Sequence, residues 1–174
     1  KKNELKLRST VLVNEIIRFR GRLDLMIVYI SGKKLSFLNK KVLIILRIGF
    51  YEIIFDHKVP DYAAVDSSVN LARKFTNKKT IGFTNAVLRS LVRKKDNNPN
   101  WYEGLKYKVG WSSVPEWMEK RWLVNFGEKN LAKLIEFINQ PSDTFIRCDT
   151  DSNSMEKKIR LLQADGINTE LFSN

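Results

Sequence analysis

Leu5, Leu7, Val11, Leu12, Ile16, Ile17 and Phe19 recur at helical spacings, with Thr10, Asn14 and Arg18 on the other face, so the pattern predicts an amphipathic helix over about residues 5–19. Gly21 is expected to break it. Leu23 to Ile30 is a compact apolar run that reads as a second helix, with Asp24 in its first turn, where a carboxylate suits the helix dipole, and Ser31-Gly32-Lys33-Lys34 as its stop. Val42 to Phe55 is apolar almost all round, the mark of a helix buried on most sides; its length and the Arg47/Tyr51 spacing favour helix over strand. His57 to Pro60 forces a turn, because the residue before a proline is pushed out of the helical region. Asp61 then stands as the expected cap of a helix whose inner face is Ala64, Val65, Ser68, Val69, Leu71, Ala72 and Phe75, and Arg73 and Lys74 fall in its last turn. After a spacer from Thr76 to Lys79, Thr80 is the expected cap of a helix carrying Ile81, Val87, Leu88, Leu91 and Val92 inward and Arg89 and Arg93 outward.

Lys94 to Asn100 is polar and contains Pro99, the clearest boundary in the chain. Beyond it, Glu116 to Val124 and Glu128 to Asn139 read as two helices divided at Phe126-Gly127, with Pro141 ending the second. The period then changes: Thr144 to Cys148 alternates like a strand, Ser154 to Ala164 looks helical and is closed by Asp165-Gly166, and Ile167 to Phe172 reads as a second strand. Two strands do not make a stable sheet, so a small α+β module is expected to begin here and continue past the end. The expected class is all-α: a helical bundle over residues 1–95, a helical linker over 96–141, and the start of the α+β subdomain over 142–174.

Charge adds a division that the hydrophobic pattern lacks. Residues 1–95 hold 21 of the 31 Lys/Arg and 7 of the 19 Asp/Glu, a balance of +14, and the remainder carries −2. Such asymmetry points to a polyanion-binding domain joined to something with another task. A passive solubilising surface is the alternative, but so much like charge repels itself unless a partner neutralises it. One cysteine, Cys148, excludes an intramolecular disulfide and a multi-cysteine zinc site. No segment reads as a signal peptide, and the most apolar run is interrupted by Arg47 and Glu52 and is shorter than the roughly 20 residues of a membrane span, so the expected location is the cytoplasm.

Catalytic chemistry finds no support. No two of the 8 glycines form a G-x-G, so no dinucleotide or S-adenosylmethionine loop can be proposed. His57 and Cys148 stand in separate segments; a turn or surface role for the first and packing for the second outweigh catalysis. The carboxylates are scattered and mostly beside Lys or Arg, as in surface pairs. No catalytic, cofactor-binding or metal-ligating residue is assigned.

The basic residues are the stronger signal. Arg18, Arg20 and Arg22 surround Gly21; Lys33, Lys34, Lys40 and Lys41 flank the next loop; Arg73, Lys74, Lys78 and Lys79 flank another; Arg89, Arg93 and Lys94, with Lys95 beside them, end the last helix of the first half. Charges at several helix ends can merge into one patch that lines phosphates without reading bases. RNA fits better than DNA, because no helix combines a basic face with the side-chain spacing of a major-groove reader. For most of the tryptophans a core role outweighs base stacking.

ILRIGFYEIIF, VP, AAV, NLARKF and GFTNAVLR, in this order over residues 45–89, resemble the helical RNA-binding domain shared by the antitermination factor NusB and the N-terminus of the Sun/NOL1/NOP2-type ribosomal RNA cytosine-5 methyltransferases. RFRGRLD at Arg18–Asp24, S-x-P-x-W-M at Ser113–Met118, then RW, FG, NQP and a T-x-x-R segment are similar to the methyltransferases in particular. The resemblance implies a NusB-like bundle followed by the start of an RRM-like subdomain, a first helix lying before residue 1, and a catalytic domain beyond residue 174 with its S-adenosylmethionine loop and two cysteine motifs. Cys148 matches neither catalytic cysteine. The implied role is binding and positioning 16S ribosomal RNA for the protein's own C-terminal methyltransferase domain, with no membrane partner and no activity from this segment alone; the alternative is an antitermination adaptor that binds RNA and a ribosomal protein.

Overall fold

The computed structural model describes residues 2–56, 58–140, 147 and 152–169, with side chains from residue 6 in the first helix and from 154 in the last. Contacts divide the chain into two compact units, Lys1–Gln140 and Pro141–Asn174. Seven α-helices are present among the described residues, and no strand: α1 Lys2–Arg18, α2 Arg20–Ser31, α3 Lys40–Ile54, α4 Asp61–Phe75, α5 Lys78–Asn97, α6 Glu116–Ile138 and α7 Ser152–Ala164. The all-helical expectation for the first half holds.

α3 is the axis of the first unit. It packs against α1, α2, α4 and α5, and Val42, Leu46, Phe50 and Ile53 are each at most 1% exposed. Around them close Leu23, Met26 and Ile27 of α2, Ala64, Val65 and Val69 of α4, and Val87, Leu88 and Leu91 of α5. Gly49 lets the three-helix junction close: a Cβ there would stand 2.8 Å from both Ser68 Oγ and Leu88 Cδ2. The all-round apolar pattern of α3 thus reflects burial on several faces at once.

Several local expectations are corrected by long-range partners. The break between α1 and α2 falls at Phe19, and Gly21 is helical. Asp24 therefore lies beyond the first turn of α2, and it takes a bidentate ion pair from Arg47 of α3, Nε to Oδ1 and Nη2 to Oδ2, both at 2.8 Å. Asp61 is the first residue of α4 and caps nothing; it accepts from Lys95 Nζ at 2.8 Å, and Lys95 also donates to the Ile53 carbonyl at 2.9 Å. One ammonium thus joins the end of α3, the start of α4 and the end of α5. Asn77, not Thr80, caps α5, its Oδ1 accepting from the Thr80 amide at 3.0 Å. At Gly127 the backbone turns to φ 71°, ψ 167°, which kinks α6 at the division expected from Phe126-Gly127.

Residues 98–115 fold back onto α2. Trp101 and Leu105 enter the core, and the turn at residues 110–113 reaches the start of α2. Ser113 Oγ accepts from the Gly21 amide at 3.0 Å and the Arg22 amide at 3.4 Å, which caps α2 from 92 residues away; Phe19, at the usual capping position, supplies no side-chain bond. To aim its hydroxyl, Ser113 adopts φ 60°. Gly21 is required by proximity, since a Cβ on it would stand 1.9 Å from the Gly110 carbonyl oxygen. Ser112 donates to Glu119 at 2.7 Å, and Asn139 donates to the Ser112 carbonyl at 3.0 Å. The RFRGRLD motif, the Ser112-Ser113 turn, Glu119 and Asn139, far apart in sequence, therefore meet in one hydrogen-bonded knot.

In the second unit α7 ends at Ala164, with the Gly166 amide on the Gln163 carbonyl and the Ile167 amide on the Leu162 carbonyl, the αL stop expected of Asp165-Gly166. The expected strand at Thr144–Cys148 lies outside the described residues except Arg147, as do His57 and Cys148; of the strand at Ile167–Phe172, Ile167–Thr169 are described and form none. The α+β subdomain is not shown.

Candidate nucleic-acid interface

Because Lys95 brings the end of α3, the start of α4 and the end of α5 together, and α3–α5 pack along one another, the start of α3, the end of α4 and the start of α5 meet at the opposite pole. That pole carries Lys33, Lys34, Lys40, Lys41, Arg73, Lys74, Lys78 and Lys79, all exposed. The near-antiparallel α4/α5 pair, joined by only Thr76-Asn77, leads away from it.

Between α4 and α5 runs a groove of about 580 Å³. Its floor is apolar, with Val65 and Val69 of α4 against Ile81 and Val92 of α5, and its walls carry Arg73, Arg89 and Arg93. No carboxylate lies within 4.0 Å of these three guanidinium groups among the described residues. Neutral amides hold two of them instead: Arg73 donates to Asn70 Oδ1 at 2.7 Å, and Arg89 to Asn85 Oδ1 at 3.1 Å. Among the described residues Asp66 is the single acid in the lining, and its carboxylate accepts from Asn70 at 3.0 Å. Tyr62 stands at the rim, 78% exposed, and Gly82 leaves the wall open, with nothing within 4 Å of a notional Cβ. Unpaired guanidinium forks on both walls suit phosphate oxygens, and an exposed tyrosine suits a base.

The remaining candidates occupy the other pole. Arg18 is paired with Glu15, Arg20 reaches Asp24 at 4.0 Å, Lys94 stands over the Tyr29 ring at 5.6 Å, and Arg22 donates through Nε to the Trp111 carbonyl at 3.2 Å. Sequence reasoning placed the groove's three arginines in one general basic patch without setting them apart from the other cations, and passed over Tyr62, Asn85 and Gly82. The signal for the last two was present: Lys78, Gly82, Asn85, Arg89 and Arg93 follow one stripe at helical spacing. Among the described residues, no group of acidic, His or Cys side chains could hold a metal, and no helix is long and apolar enough to cross a membrane.

Comparison with known proteins gives the following. The model of the NusB family matches residues 2–93. Ribosomal RNA small subunit methyltransferase B of Pasteurella multocida is 27% identical over 179 residues, 99% of this chain and 38% of that protein. The probable ribosomal RNA small subunit methyltransferase B of Bacillus subtilis is 25% identical over 183 residues, 97% of this chain and 41% of its own. Transcription antitermination protein NusB of Lacticaseibacillus casei is 36% identical over 63 residues, 36% of this chain and 47% of that protein. The chain thus spans about two fifths of the length of these methyltransferases. No solved structure matches it.

Proposed function

Because the chain belongs to the NusB family, we propose that it is the RNA-holding N-terminal region of a Sun-type 16S ribosomal RNA (cytosine-5)-methyltransferase. In this reading residues 1–95 grip the RNA backbone, residues 96–141 link, and residues 142–174 begin a further subdomain. An S-adenosylmethionine-dependent catalytic domain, carried by the remainder of such a protein, receives the RNA so positioned. The observation that carries the proposal is the extent of the likeness: the two methyltransferases align with 99% and 97% of this chain, whereas the antitermination protein aligns with 36%. Supporting it, residues 98–115, beyond the family match, are tied to α2 by the Ser113 and Trp111 hydrogen bonds, so a free-standing NusB bundle does not explain them.

An antitermination adaptor is the second reading, favoured by the higher identity of NusB proteins over about 60 residues. Capture from a bacterial lysate separates the two. Recovery of precursor 16S RNA is expected; recovery of a transcription complex without precursor RNA would reverse the ranking.

A further inference from the structure

Arg22 is exceptional among its neighbours. Arg18 and Arg47 are matched by Glu15 and Asp24, and Arg20 lies at 4.0 Å from Asp24. Arg22 has no carboxylate within 4.0 Å among the described residues, and its two Nη groups donate to no acceptor there; only Nε is engaged. The guanidinium is about half buried, and burial lowers its pKa below the usual arginine value. The rings of Phe19 and Trp111, with centroids 5.0 and 5.5 Å from Cζ, hold it in place. Dehydrated positive charge held by aromatic faces, with donors unspent, lacks a counter-anion.

Arg22 lines a pocket of about 350 Å³, at the small end of the roughly 300–1,000 Å³ typical of ligand sites. Phe55, Tyr102 and Trp111 form an aromatic wall. At its margin stand Lys106, 45% exposed and paired with the surface Glu103, and Glu136 of α6, whose carboxylate makes no ion pair among the described residues. Two cations, an aromatic wall and one carboxylate match a phosphate, a planar ring and an amine on that ring.

We propose that this pocket holds one unpaired nucleotide of the bound RNA, its phosphate on Arg22 and Lys106 and the exocyclic amine of its base on Glu136. The proposal rests on the RNA-holding reading and adds a second RNA-binding point, apart from the α4/α5 groove. Cytosine, adenine and guanine carry such an amine; uracil presents a carbonyl there and is disfavoured by the carboxylate.

The test is NMR titration of the full 174-residue chain, observing the Arg22 Nε–H and Trp111 indole resonances, with cytidine monophosphate, uridine monophosphate and inorganic phosphate as probes. Cytidine monophosphate is expected to shift both resonances and to bind about threefold or more tightly than uridine monophosphate, a preference abolished in Glu136→Gln. Lys106→Ala, a surface change that leaves the fold intact, is expected to weaken binding about fivefold, on the order of 1 kcal/mol. Phosphate binding as well as cytidine monophosphate would overturn the base-holding part. Silence of both resonances would overturn the site. If ribosomal RNA still binds through the groove in that case, only this pocket falls; if it does not bind at all, the RNA-holding reading falls with it.

Discussion

Replacing Gly21 with alanine should act against its sign elsewhere in helices. At an unobstructed helical position the change stabilises by about 0.5–1 kcal/mol, because alanine loses less backbone freedom on folding. At Gly21 the new Cβ would stand 1.9 Å from the Gly110 oxygen and 3.0 Å from Ser113 Cα, both backbone atoms with no rotamer to yield. The turn at 110–113 must move off α2. That removes the Ser113 cap, about 1 kcal/mol, and the charged bond from Arg22 to the Trp111 carbonyl, about 1.5–3 kcal/mol. It also disturbs the Tyr102–Trp111 ring pair at 6.0 Å, about 0.5–1.5 kcal/mol. Less the helical gain, the net destabilisation is about 2–5 kcal/mol, or about 6–15 °C in Tm at roughly 3 °C per kcal/mol for a chain of this size. Gly82→Ala is the control: α5 also gains an alanine, but nothing lies within 4 Å of its Cβ, so stability should rise by about 0.5–1 kcal/mol. Urea and thermal unfolding of the two variants decide the matter. If Gly21→Ala proves as stable as Gly82→Ala, the turn does not press on α2 and the knot is not a stabilising element.

Asp24→Asn should cost about 2–3 kcal/mol, because Arg47 is left mostly buried without its carboxylate; Asp24→Leu with Arg47→Met should recover at least half of that cost in the same unfolding assay. Burial raises the Glu52 pKa above its ordinary 4.5, and one of its carboxylate oxygens is buried without a partner. Its protonated form is therefore favoured on folding, so that contribution to stability is present below about pH 4.5 and disappears as pH rises through the folded-state value. Glu52→Gln should accordingly be more stable than the unaltered chain at pH 7, with the difference vanishing as pH falls toward 4.5; an unchanged difference across that range would refute it. Ser113→Ala should destabilise by about 1 kcal/mol and free the Gly21 amide to faster hydrogen exchange.

The helices of the bundle were legible because each is amphipathic or, for α3, apolar throughout, and the division of α6 followed from a glycine at its middle. What sequence could not supply was partnership at a distance. Asp61 and Thr80 both look like caps locally, yet Lys95 engages the first and Asn77, three residues earlier, displaces the second. Gly21 reads as punctuation because a helix break and a close approach both call for glycine, and only the position of Gly110 distinguishes them. The RNA candidates were found by charge alone, which ranks every exposed cation equally. Packing separates Arg73, Arg89 and Arg93, gathered in one groove without carboxylates at their guanidinium groups, from Arg18, which already has its anion.

The central claim is that the α4/α5 groove holds ribosomal RNA through its arginines, and the salt dependence of binding tests it most directly. For a fragment of 16S RNA, the slope of log affinity against log salt should be steep in the unaltered chain. It should become shallower by about 2 in the Arg73→Ala/Arg89→Ala/Arg93→Ala variant, at about 0.7 for each single-strand phosphate that is no longer neutralised, with Tm unchanged because all three side chains are exposed. Parallel lines for the two proteins, or binding indifferent to salt, would contradict it.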